Sequence, residues 1–168
     1  IEVSYKYNAA GNIVSAKPEG SPALTMEYDL QGNRIKLTDP DAGVISSSYD
    51  GWGQVKEVKQ NIHNQSPVIT SYNYHPNGLL KYEKCGNRQT NYEYDDHHRI
   101  KKIAVTGEHT REFAYDELDR IVLVTDKTGD KIFETRTVYD ALGRVAEEIY
   151  PGGYTVRYYY NQFSDLIK

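Results

Sequence analysis

Apolar and polar positions alternate along this chain in short bursts, and each burst closes on a tyrosine. Counting back from Tyr7, Tyr28, Tyr49, Tyr74, Tyr94, Tyr115, Tyr139 and Tyr160, the residue two places upstream is Tyr5, Met26, Ser47, Tyr72, Tyr92, Phe113, Thr137 or Tyr158. Four places upstream stand Val3, Leu24, Ile45, Thr70, Thr90, Arg111, Thr135 and Val156, and the residue between is polar in every case. Period two with an aromatic and β-branched face predicts a strand leading into each tyrosine. Four places past the tyrosine stand Gly11, Gly32, Gly53, Gly78, His98, Asp119, Gly143 and Ser164. Within two places more the chain meets Ile13, Val55, Leu79, Ile100, Ile121, Val145 and Leu166, with Arg34 the exception. These mark outgoing strands of looser pattern, and the adjacent Lys101 and Lys102 indicate a bulge in one of them.

The residue after the tyrosine is Asp29, Asp50, Asp95, Asp116 or Asp140 in five cases, Asn8 or Asn161 in two and His75 in one. The steps between tyrosines are 21, 21, 25, 20, 21, 24 and 21, so a unit of about 21 residues fills the chain. Each unit is read as two strands and two turns. In the first turn the Asp or Asn side chain bonds a backbone N–H two residues on, and the residue four past the tyrosine takes positive φ. The second turn varies, from Lys17-Pro18-Glu19-Gly20 to Tyr150-Pro151-Gly152-Gly153, and the extra residues of the long units are expected there, near residues 63–66 and 126–131. No helical period of useful length remains. The predicted fold class is all-β, consecutive antiparallel hairpins in one single-layer sheet. About fifteen strands at roughly 4.8 Å make a sheet too wide to stay flat and twisted, so a curved layer is expected.

Composition sharpens this reading. Ile, Val, Leu and Phe fill only about a fifth of the 168 positions, near the border of disorder, but sixteen tyrosines supply the missing burial. A net charge of −4 is too small to hold the chain open. Twenty basic against twenty-four acidic residues leave no positive field for nucleic acid, and no apolar run approaches a membrane helix. Cys85 is the sole cysteine, which excludes an internal disulfide.

Several residues are candidates for chemistry. The five aspartates suggest the paired carboxylates of a glycosidase, but a slot filled eight times by Asp, Asn or His is what turn capping predicts. Arg99, Arg120 and Arg144 recur after the turn and read as solvated ion pairs. His63, His75, His97, His98 and His109 show no metal-ligand spacing, and Cys85 has no histidine near in sequence to activate it. No cofactor or catalytic residue is expected. Trp52, in a turn, is a candidate contact for a sugar or a protein, with packing on the adjacent hairpin as the alternative. The structural residues of the motif are Tyr7, Tyr28, Asp29, Gly32, Tyr49, Asp50, Gly53, Tyr74, Gly78, Tyr94, Asp95, Tyr115, Asp116, Tyr139, Asp140, Gly143 and Tyr160.

Tyr28-Asp29-Leu30-Gln31-Gly32-Asn33 and Tyr139-Asp140-Ala141-Leu142-Gly143-Arg144-Val145 resemble the YD repeat of the Rhs (rearrangement hotspot) family. Its relatives include polymorphic toxins, the B and C components of insecticidal toxin complexes, wall-associated proteins and teneurins. The resemblance covers residues 1–168 as one array of about eight repeats. It implies a spiralling sheet that forms a hollow shell, with further repeats and a C-terminal effector domain of a longer parent protein as partners, and a bacterial setting, secreted or at the cell surface. In relatives an Asp-Pro-x-Gly motif is associated with self-cleavage; Asp39-Pro40-Asp41-Ala42-Gly43 has an extra residue, and the protease role is not carried over. The alternative function is a recognition module for glycans or cell-surface proteins. The opening at Ile1 with Met26 as sole methionine reads as a segment of a longer chain, and its two strand edges are expected to pair with other copies.

Overall fold

The computed structural model describes residues 2–161, 163 and 166. Fifteen strands lie in one antiparallel sheet in the order of the sequence. They are β1 (Val3–Tyr7), β2 (Ile13–Pro18), β3 (Leu24–Tyr28), β4 (Arg34–Asp39), β5 (Gly43–Tyr49), β6 (Val55–Asn61), β7 (Val68–Tyr74), β8 (Leu80–Cys85), β9 (Arg88–Tyr94), β10 (Ile100–Val105), β11 (His109–Tyr115), β12 (Ile121–Thr128), β13 (Lys131–Tyr139), β14 (Val145–Ile149) and β15 (Thr155–Arg157). The only helical element among the described residues is one 3-10 turn, Pro151–Gly153. No helix is long and apolar enough to cross a membrane. The chain divides into two compact units, Ile1–Gln89 and Thr90–Lys168.

Each of the first seven odd-numbered strands ends on the tyrosine of the repeat, and the next strand begins six residues later. Leu79 is therefore one place early as a strand start, because β8 opens at Leu80. The six-residue step has a physical cause. A five-residue turn leaves one residue too many on the outgoing strand, and the ladder absorbs it as a bulge. Tyr7 pairs Ile13 while Lys6 pairs Ser15, and the same slip recurs in every hairpin closed by such a turn. The residue left over is Val14, Ile35, Lys56, Lys81, Lys101, Val122 or Ala146.

The residue four past the tyrosine takes positive φ throughout the described turns, 79–86° at the glycines and 62° at His98 and Asp119. Ser164 lies outside the described residues. The second turns match the expected insertion near residues 63–66 but not the one near 126–131. There the extra residues lengthen β12 and β13, which close on the two-residue turn Gly129-Asp130, a tight hairpin that glycine in the left-handed region makes available.

The layer is thin. The only buried apolar side chain among the described residues is Val105, at 6% exposure, accompanied by Thr90 and Thr125. In β3 the pattern is alternation between half-buried Leu24, Met26, Tyr28 and exposed Thr25, Glu27. With no second layer in contact, this face carries tyrosines and β-branched residues, whose stacking across strands stabilises a sheet that is half wet.

Candidate functional site

The YD turns are the most regular feature of the surface. In five of them the aspartate Oδ1 accepts the N–H groups two and four residues on, at 2.8–3.0 Å: Gln31 and Asn33 on Asp29, Trp52 and Gln54 on Asp50, His97 and Arg99 on Asp95, Leu118 and Arg120 on Asp116, Leu142 and Arg144 on Asp140. Asn8 does the same for Ala10 and Asn12. The fourth turn departs from the scheme, since His75 occupies the slot and Asn77 Oδ1 takes the N–H of Leu79 instead.

Within each unit, adjoining repeats are joined through the tyrosine. The hydroxyls of Tyr28, Tyr49, Tyr74, Tyr115, Tyr139 and Tyr160 donate to the backbone carbonyls of Ile13, Arg34, Val55, Ile100, Ile121 and Val145, at 2.7–2.9 Å. Every acceptor is the residue paired with the tyrosine of the preceding hairpin, immediately before the bulge. The bulge frees that carbonyl from the ladder, and the next tyrosine satisfies it. These phenols are thus committed to protein partners rather than kept wet as stacking alone would leave them. Burial pushes the phenols of Tyr74 and Tyr94, the latter at the end of β9, above the usual range.

The arginines correct the reading of solvated ion pairs. Arg99, Arg120 and Arg144 each bond the carboxylate of their own turn, Asp95, Asp116 and Asp140, at 2.6–2.7 Å, with side chains only 24–28% exposed. Each guanidinium then lies 4.3–4.4 Å over the ring of the next repeat's tyrosine, Tyr115, Tyr139 or Tyr160. Arg99 also bonds Asp119 in the next turn. Hydrogen bonds from the arginines hold Asp95 and Asp116 below the usual carboxylate range; for Asp140 the backbone N–H of Arg144 leads, and for Asp29 the amide of Asn33.

Two further features lie outside the motif. Glu148 accepts the hydroxyls of both Tyr150 and Tyr158, at 2.7 and 2.6 Å, and this bond to a carboxylate pushes the Tyr158 phenol up to about 12. Nothing in the repeat pattern signals this clasp. Trp52 is 89% exposed and stands at a cleft of about 700 Å³ with Asp50, Gln54, Lys56, Asn73, His75 and Asn77 among its lining. Cys85 ends β8 and is exposed. Among the described residues no three His, Cys, Asp or Glu side chains group as a metal site.

The Teneurin YD-shell family profile matches residues 1–133. The chain is 28% identical over 117 residues to the tRNA(Glu)-specific nuclease WapA of Bacillus subtilis subsp. natto (strain BEST195), covering 69% of this chain and 5% of that protein. It is 25% identical over 143 residues to the double-stranded DNA deaminase toxin A of Burkholderia cenocepacia (strain H111), covering 84% of this chain and 9% of that one. The chain therefore spans less than a tenth of either relative. Among solved structures, the Tc holotoxin pore of Photorhabdus luminescens superposes with a TM-score of 0.77 at 17% identity, over 95% of this chain and 10% of that one. TcdB2-TccC3 without its hypervariable C-terminal region gives 0.58 at 15%, over 95% and 12%.

Proposed function

The chain belongs to the Teneurin YD-shell family, and we propose that in a longer parent protein it forms one stretch of a shell wall that encloses a C-terminal effector polypeptide, secreted or displayed at the cell surface. All 168 residues, not only the matched part, belong to the repeat array in this reading. The observation that carries it is the tyrosine hydroxyl seated on the preceding bulge carbonyl. A wall one strand-layer thick has no second sheet to stabilise it, so adjoining hairpins must be held by bonds within the layer. The aspartates are parts of that layer. Their bonds are the same in turn after turn, whereas a catalytic carboxylate needs one distinct environment. The two relatives named for nuclease and deaminase activity are many times longer than this chain, and the reading assigns chemistry of that kind to the enclosed polypeptide.

Limited proteolysis of the parent protein tests it. The region following the array should resist protease while the array is intact. It should be cut after combined Tyr115→Phe and Tyr139→Phe substitution, which removes two of the interlocking bonds. Equal cleavage of that region in both proteins overturns the enclosing role.

A further inference from the structure

We propose that the unpaired edge of β13 over residues 131–135 is a docking site that takes up an extended polypeptide segment as one added strand, with apolar side chains of that segment seated beside Ile132 and Phe133. The proposal goes beyond the wall role and does not rest on it.

The edge exists because two neighbouring strands differ in length. β13 has nine residues and β14 has five. Their ladder runs only from Arg136 opposite Ile149 to Tyr139 opposite Val145, so residues 131–135 have β12 on one side and no strand on the other. One repeat earlier, β12 pairs the whole of β11, from His109 to Tyr115. Here the chain leaves the line of β14 at Pro151, which has no N–H to give. The turn that follows closes on itself: the Tyr150 N–H donates to the Tyr154 carbonyl at 2.7 Å, and the Tyr150 carbonyl accepts the Gly153 N–H at 3.0 Å.

The backbone decides what fits the gap. Thr128 and Lys131 flank a two-residue turn and therefore exchange both of their ladder bonds. Antiparallel alternation then turns the N–H and C=O groups of Lys131, Phe133 and Thr135 toward β12, and those of Ile132 and Glu134 away from it. Arg136, next in the outward series, meets Ile149. Ile132 and Glu134 thus continue an existing ladder with donors and acceptors at strand spacing, which another extended backbone matches and a helix or a small molecule does not.

The side chains say what such a segment carries. Ile132 is 61% exposed and Phe133 44%, on opposite faces of the strand. On the Ile132 face a cleft of about 360 Å³ lies between the edge and the 3-10 turn, with Glu134, Arg136, Ile149 and Pro151 in its lining. Glu134 and Arg136 pair at 3.1 Å, so the cleft is neutralised from within and favours an apolar side chain. On the other face Phe133 suits a β-branched neighbour across the strands. The partner is therefore a strand with apolar residues at successive places, one for each face.

The probe is a blocked hexapeptide, Thr-Val-Val-Thr-Val-Lys, titrated into the isotope-labelled 168-residue chain, with the same peptide methylated at every backbone nitrogen as its counterpart. Amide exchange and chemical shifts read the edge residue by residue. In the free chain Ile132 and Glu134 should exchange about tenfold or more faster than Phe133 and Thr135. The peptide should shift Ile132 and Glu134 saturably and slow their exchange about tenfold at ten times its Kd, and the methylated peptide should do neither. Glu134→Pro removes one outward N–H at a place where an edge strand tolerates proline, and should weaken binding by roughly tenfold. If that variant does not fold, the methylated peptide removes the same bonds from the other side. No saturable change, equal binding of the methylated peptide, or a response at Phe133 and Thr135 in place of Ile132 and Glu134 overturns the site. Protection of Ile132 and Glu134 that rises with chain concentration in the absence of peptide gives the edge to a second copy and overturns it as well. None of these outcomes bears on the enclosing role, which the protease test reads.

Discussion

The two units build one backbone geometry from two chemistries. In three of the four turns of Ile1–Gln89 the residue five past the tyrosine is an amide, Asn12, Asn33 or Gln54, set against the glycine of the next turn, and in the fourth it is Leu79; Gln54 donates to the Gly78 carbonyl at 2.9 Å. In Thr90–Lys168 the same place holds Arg99, Arg120 and Arg144, each paired to its turn aspartate and stacked on the next tyrosine. The left-handed position follows suit. It is glycine in all four turns of the first unit, but His98 and Asp119 in two turns of the second, at φ 62°. The lesson is one of compensation. A side chain in the left-handed region costs on the order of 1 kcal/mol, and in the second unit the arginine rungs offset it, Asp119 even serving as acceptor for Arg99. The first unit has no such rungs and keeps glycine.

The sharpest way to break the amide unit is Gly43→Ala. Gly43 sits at φ 99°, and an added Cβ would meet the Asn61 carbonyl oxygen at 2.1 Å. The expected loss is about 3 kcal/mol or more, read by denaturant unfolding and by hydrogen exchange in β5 and β6, with β11 to β14 unchanged. Exchange rates that rise equally in both units would show that the two are not separable.

Acid should break the arginine unit. Asp95, Asp116 and Asp140 are held below the usual carboxylate range, so their contribution is present above about pH 4, the unfolded value, and is lost as pH falls through the lower folded values. Protection of β9 to β14 should decline across that window as the three guanidinium groups lose their ionised turn carboxylates. If β1 to β8 lose protection first, the rungs are not what holds the second unit.

Part of this contrast was legible from the chain alone. The repeat, the strand ending on each tyrosine and the positive φ at non-glycine His98 and Asp119 all follow from spacing and residue type. The joints between hairpins do not. The acceptor of each tyrosine is a backbone carbonyl, which leaves no mark in composition, and its place depends on a bulge whose extra residue is anything from Val14 to Lys101. Only the paired lysines at 101 and 102 betrayed one of seven such bulges. The arginine stack was hidden for a related reason: Arg120 and Tyr139 belong to different repeats, and their meeting depends on a register that alternation does not reveal. At His75 the slot looked lost, because the cap had moved to Asn77.

A smaller effect separates the rungs themselves. Arg120→Ala removes a cation over Tyr139 and an ion pair with Asp116, and should cost about 1–2 kcal/mol in thermal or denaturant unfolding; Asn33→Ala in the amide unit should cost less than about 1. Equal losses would erase the distinction between the two chemistries. Smallest, and opposite in sign, is His98→Gly, which should stabilise by roughly 0.5–1 kcal/mol through relief of the left-handed histidine. A destabilised variant would mean that the imidazole contributes to the turn.

A tyrosine that finds its neighbour through a main-chain carbonyl asks nothing of that neighbour's side chains. Arg34 at this place presents the same oxygen as the β-branched Ile13, Val55, Ile100, Ile121 and Val145. Any hairpin of this kind can therefore succeed any other, and a gene encoding such an array can gain, lose or exchange whole hairpins by recombination without a matching change elsewhere. The 20- to 25-residue steps along this chain are what such a history permits, with the joint kept constant and everything between the joints free to drift.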